Sequence, residues 1–139
     1  MNTIVLFYSL TGRTYKEAKR IANELGAERF EVTERRRRSV FGAAFSGCVE
    51  AARRAASHID PIAVRLSDYD EVILMAPVWG GYPAPAFNSM VKELSDGAAV
   101  RIILTSKKGK IKDEEELVDF VESTGAKVKN ITVLKVGKK

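Results

Sequence analysis

Apolar positions along this chain alternate between two spacings. Residues 3–8, "TIVLFY", form an unbroken run rich in β-branched and aromatic side chains, which predicts a strand buried on both faces. From Thr14 to Leu25 the apolar residues Tyr15, Ala18, Ile21, Ala22 and Leu25 recur at helical spacing, and Gly26 supplies a stop. "ERFEVT" (28–33) reads as a second strand, half polar and therefore expected at a sheet edge. Over 39–57 the stripe Phe41, Phe45, Cys48, Val49, Ala52 and Ala56 predicts an amphipathic helix, with Cys48 in the core. "EVILMAP" (71–77) is the next buried strand, and "APAFNSMVKEL" (84–94) the next helix, with Phe87, Met90, Val91 and Leu94 inward. "VRIILTS" (100–106) predicts a strand. A helix capped by Asp113 runs through Thr124, with Glu114, Glu115 and Glu116 at its positive end. Gly125 ends it, and "KVKNITVLKV" (127–136) is the last strand.

Five strands and four helices alternate without a repeat or linker, so one α/β domain over 1–139 is expected. That order predicts a parallel sheet with right-handed crossovers and helices on both faces. Ligands of such sheets bind beyond the carboxyl ends of the strands, where the strand order reverses. The loops at 9–14, 77–83 and 105–111 should therefore carry the function.

The first of these, "SLTGRT", is rich in groups that bind anions. The hydroxyls of Ser9, Thr11 and Thr14 can donate to a phosphate oxygen, Gly12 permits close backbone approach, and a helix start adds free amides. An ordinary cap, with Thr14 capping and the other hydroxyls solvated, fits the same residues. The loop has no Gly-Lys-Ser and no G-x-G-x-x-G, so nucleoside triphosphate and dinucleotide binding lack their usual signature. In the second loop, "PVWGGYPAP", Trp79 and Tyr82 flank two glycines among three prolines. The rings there either stack on a flat heterocycle or, for Trp79, plug the core.

Composition and charge narrow the class further. The 139 residues are 45% apolar and 29% charged, as in a folded globular domain. The one cysteine excludes an intrachain disulfide and a cysteine metal cluster. The N-terminal apolar stretch is too short for a membrane span and lacks the basic start of a signal peptide, so a cytoplasmic protein is expected. Formal charge is +5, concentrated in "ERRRRS", "TSKKGKIK" and the tail "KVGKK". Arg35–Arg38 fit an acidic protein partner, the 2′-phosphate of NADPH, or a solvated turn. No aromatic residues interleave with that run, which argues against nucleic acid. His58 has no companion at metal-ligand spacing, and no Ser-His-Asp set or carboxylate pair can be assembled.

"FYSLTGRT" and "APVWGGYPAPAF", with the five-strand alternation, resemble the flavodoxin family along nearly the whole chain. The resemblance implies a doubly wound five-stranded parallel sheet in the order 2-1-3-4-5, noncovalent FMN and electron transfer with protein redox partners. Ser9, Leu10, Thr11, Gly12, Arg13 and Thr14 would hold the phosphate. Pro77, Val78, Trp79, Gly80, Gly81 and Tyr82 would border the isoalloxazine, and Thr105, Ser106, Lys107 and Gly109 would close its other side. An FMN-dependent NAD(P)H or quinone reductase, and an interaction module that has lost FMN, are the alternatives.

Three features depart from that pattern. Arg13 stands where the family commonly has Asn, which leaves the backbone donors and adds charge for an anion. "TSKKGK" offers lysines where flavodoxins often stack a tyrosine. Those lysines either favour the reduced, anionic flavin and raise its potential or point into solvent. A flavodoxin follows its fifth strand with a fifth helix, and none is expected after "KVKNITVLKV" here. One face of strands "VILMA" and "VRIIL" should then be an apolar patch, and a homodimer through it is expected, unless residues 35–58 cover it.

Overall fold

A computed structural model of the chain describes residues 2–137. Its centre is β1 (Thr3–Phe7), β3 (Glu71–Trp79) and β5 (Ala99–Ser106), flanked by β2 (Glu28–Glu31) and β6 (Lys127–Lys135). These five strands pair in parallel in the order β2-β1-β3-β5-β6, and the half-polar β2 lies at an edge as expected. A sixth strand, β4 (Tyr82–Pro83), turns back antiparallel onto the end of β3. β3 is thus longer than its apolar run, because Pro77 continues the strand and the reversal waits for Gly80 and Gly81.

Helix α1 (Arg13–Leu25) covers one face of the sheet, burying Ala18 and Ala22 against Val5, Phe7, Ile73 and Met75. The other face carries the larger core. There α4 (Pro85–Val91) and α5 (Glu114–Glu122) bury Phe87, Met90, Leu117 and Val121 against Ile4, Leu6, Leu74, Ile102 and Leu104. Fully burying side chains of this size contributes about 1.5–3 kcal/mol each.

Three expectations are corrected. The region 39–57 is not one helix with its large apolar residues inward. It comprises α2 (Val40–Gly42), one π-helical stretch (Ala43–Gly47) and α3 (Cys48–Ala52). Ala43, Gly47 and Ala51 face in, whereas Phe41, Phe45 and Val49 face solvent and Cys48 is half-buried. The small residues, four apart, let the segment approach β3 closely.

Asp113 does not cap α5 with its side chain. Its backbone is left-handed and its carboxylate accepts from the Tyr82 hydroxyl at 3.0 Å instead. Finally, the α1 side of β5 is not an apolar patch. Arg101 bonds the buried Glu71 there at 3.0 Å, and register sets Asn130 and Thr132 beside Arg101 and the half-buried Ile103. The homodimer expected through that face loses its driving surface. Residues 35–58 pack elsewhere, tied to α4 by Asn88, which donates to the Ala55 carbonyl at 2.9 Å, and by Ser89 to Ser57.

Candidate functional site

The three loops singled out in the sequence converge at the carboxyl ends of β1, β3 and β5, around a cavity of about 600 Å³. Leu10, Thr11, Arg13 and Thr14 come from the first loop, Pro77, Val78, Trp79, Gly80 and Gly81 from the second, and Thr105, Ser106 and Lys107 from the third. The remaining expected residues, Ser9, Gly12, Tyr82 and Gly109, do not line it and shape the loops from behind.

The first loop is held by Ser9, whose hydroxyl accepts the backbone N–H groups of Gly12 and Tyr15, each at 3.1 Å. Gly12 sits at φ 98°, a conformation costly to any residue with a Cβ. This geometry leaves the N–H groups of Thr11, Arg13 and Thr14 without an acceptor among the described residues. Thr14 is buried, and its hydroxyl lies 2.8 Å from that of Thr105, also buried. Two hydroxyls joined by one hydrogen bond keep one proton to donate, and both residues line the cavity.

The second loop is a two-residue hairpin. Trp79 pairs with Tyr82 across Gly80 and Gly81, whose φ values of 63° and 97° fit the turn that such hairpins prefer. A Cβ on Gly81 would stand 2.8 Å from the Lys112 stem, so the lysine methylenes lie directly over this turn. Tyr82 points away to Asp113, and the Arg54 guanidinium stands 5.5 Å from its ring centre.

Trp79 both packs on the core and borders the cavity. Tyr8 meets it edge-on at 6.0 Å, the Arg38 guanidinium lies 5.6 Å from its ring, and Gly47 backs it so tightly that a Cβ would fall 2.9 Å from ring carbons. A polar network secures this support. The Tyr8 hydroxyl donates to Glu34 at 2.8 Å, and Arg38 bonds Glu34 at 3.0 Å and Glu50 at 2.7 Å. Burial, and then the bond to Glu34, hold the Tyr8 hydroxyl well above the usual tyrosine range. Burial alone would lower Arg38, but its bonds to Glu50 and Glu34 outweigh that and raise it. Of the arginine run, only Arg38 is built in; Arg35, Arg36 and Arg37 are exposed.

The third loop turns around Ser106, whose hydroxyl accepts the N–H groups of Lys108 and Gly109 at 3.2 Å each.

Sequence reasoning missed a fourth wall, made by Val40, Ala43, Ala44 and Cys48, and the contributions of Lys110, Ile111, Lys112 and Val136. The four-residue spacing of Ala43, Gly47 and Ala51 was its signal. Arg13, Lys107, Lys108, Lys110 and Lys112 all line the cavity, and among the described residues no carboxylate does. The arrangement can therefore hold an anion at the first loop and a flat apolar group beside Trp79. Among the described residues no cluster of His, Cys, Asp and Glu could hold a metal, and no helix is long and apolar enough to cross a membrane.

No family model and no curated protein sequence matches the chain. Solved structures do. A flavoprotein of Lactobacillus acidophilus NCFM in complex with FMN superposes with a TM-score of 0.75 at 21% identity, covering 95% of this chain and 92% of its own. A Bacteroides eggerthii protein provisionally described as a flavoprotein gives 0.83 at 17%, covering 99% and 90%. Two-electron reduced flavodoxin of Megasphaera elsdenii gives 0.60 at 15%, covering 96% and 85%. The fold is therefore flavodoxin-like, which agrees with the strand order and with the place of the cleft.

Proposed function

We propose that this protein binds FMN in the cleft and serves in electron transfer. The observation that carries this reading is the cavity itself, with five cations, a loop of open amides and an indole in its walls. The fit is chemical. A phosphate matches the unpartnered N–H groups of Thr11, Arg13 and Thr14, the spare hydroxyl proton of the Thr14–Thr105 pair and the Arg13 guanidinium. A flat ring system suits the space between Trp79 with the Gly80–Gly81 turn and the 105–108 strand end, where the cavity volume of about 600 Å³ is in the range of cofactor sites. FMN, when bound, supplies one- and two-electron chemistry. The chain supplies the rest: Ser9 fixes the phosphate loop, the network behind Trp79 fixes the indole, and the lysines bias the site toward negative charge.

The likeness to an FMN complex supports the choice of flavin. The test is anaerobic reduction of the purified protein after loading with FMN. A carrier retains FMN at one per chain, is photoreduced in two resolved one-electron stages and accepts hydride from NAD(P)H slowly. Rapid two-electron reduction by NAD(P)H would assign a reductase instead. A colourless protein that ignores added FMN would leave only an interaction module.

A further inference from the structure

Among the described residues, six large apolar side chains are exposed, and four stand on one short stretch: Val40 (65%), Phe41 (72%), Phe45 (64%) and Val49 (50%). Phe41 and Phe45 meet edge to face at 4.6 Å. Folding gives them no role, because the buried side of the segment is Ala43, Gly47 and Ala51. Yet the same segment is one wall of the cleft, through Val40, Ala43, Ala44 and Cys48. Cations stand on two sides of it. The exposed Arg35, Arg36 and Arg37 lead into the segment, and exposed Lys107, Lys108 and Lys110 stand across the cleft. Between Val40 and Ala52 the only charged residue is Glu50, and it is engaged by Arg38. An aromatic centre free of charge within a charged border is how protein interfaces are composed.

We infer that the Phe41–Phe45 surface docks a small acidic electron-carrier protein at the mouth of the cleft. The inference rests on FMN occupying that cleft. Charge complementarity selects the occupant. A second copy of this chain would bring the same arginines and lysines against one another, and like charges so placed oppose association. A bilayer suits the segment poorly, because helices that lie on membranes carry Lys and Arg along their own polar face and residues 40–52 contain neither. An acidic protein satisfies both the apolar centre and the basic border.

The experiment uses a reduced plant-type [2Fe–2S] ferredoxin as the acidic probe, mixed anaerobically with the FMN-loaded protein. Two reduced clusters are oxidised for each flavin fully reduced, with protons taken from solvent. The rate is expected to fall about tenfold or more from low to high ionic strength, as for steered association. It is expected to fall by a similar factor, about tenfold, in the F41S/F45S variant, while reduction by dithionite stays unchanged. An R35Q/R36Q/R37Q variant, which keeps both phenylalanines, is expected to lose about half of the salt dependence, since the three lysines across the cleft remain. Calorimetry of ferredoxin binding to the chain without FMN separates the two readings: binding there, in a chain that refuses FMN, overturns the flavin and keeps the surface. Unchanged rates and binding in F41S/F45S would overturn the docking surface. So would variants that alter only self-association in sedimentation, or only binding to anionic vesicles.

Discussion

Gly47 shows how much of this site depends on a missing side chain. Its φ is an ordinary helical −62°, so no conformational need for glycine exists there. What excludes a larger residue is the indole of Trp79, whose ring carbons lie 2.9 Å from where a Cβ would be. An indole is rigid and already contacted by Tyr8 and Arg38, so it cannot yield without moving them. Gly47→Ala is expected to cost about 1–3 kcal/mol in denaturant unfolding, the usual range for overpacking. It should also shift the fluorescence of Trp79, the one tryptophan. An unchanged midpoint and spectrum would mean that the segment slides outward freely and does not buttress the ring. This residue was not legible in the sequence, because a glycine inside a helical pattern announces a packing partner without naming it. Ser9 is similar. Its hydroxyl accepts from Gly12 and Tyr15 and so shapes the loop, a role its place in the motif did not announce, while its own proton stays available for a phosphate.

At the scale of elements, the sheet was legible and the 39–57 segment was not, for a physical reason. β1 and β3 are continuous apolar runs because both faces are covered. Along 39–57 helical spacing alone would send the large apolar residues toward the core. Close approach to Trp79 instead favours small ones, so Ala43, Gly47 and Ala51 turn inward and the phenylalanines are left outside. Asp113 failed as a cap for a tertiary reason, since the hairpin at Gly80–Gly81 brings Tyr82 to its carboxylate.

What ties the irregular 34–38 stretch to β1 is the bond from Tyr8 to Glu34. The folded Tyr8 value lies above the ordinary 10.0, so its contribution is complete below that pH and is lost as the pH rises beyond it. Tyr8→Phe is expected to cost roughly 1–2 kcal/mol at neutral pH, since Glu34 keeps Arg38. The variant should also lose part of the alkaline destabilisation of the parent protein. Identical stability curves for the two proteins through the alkaline range would contradict the role given to this bond.

For the whole molecule, charge placement matters more than the net value of +5. The carboxyl edge gathers Arg13 and the 107–112 lysines around one cavity, while acids such as Glu114, Glu115 and Glu116 stand outside it. Alternation of strands and helices made this edge the expected place for a ligand, and three of the cavity's walls were read from their loops. Its fourth wall depended on how the 39–57 segment folds, and so stayed hidden.

Whether this edge recognises a flavin through its phosphate is decided by comparing FMN with riboflavin, which lacks the phosphate, in a flavin fluorescence titration. Hydrogen bonds to a charged group contribute about 1.5–3 kcal/mol each, so two or more of them predict FMN binding roughly a hundredfold tighter or better. That preference should narrow as salt is added. Riboflavin binding as tightly as FMN, or neither binding at all, would contradict the account.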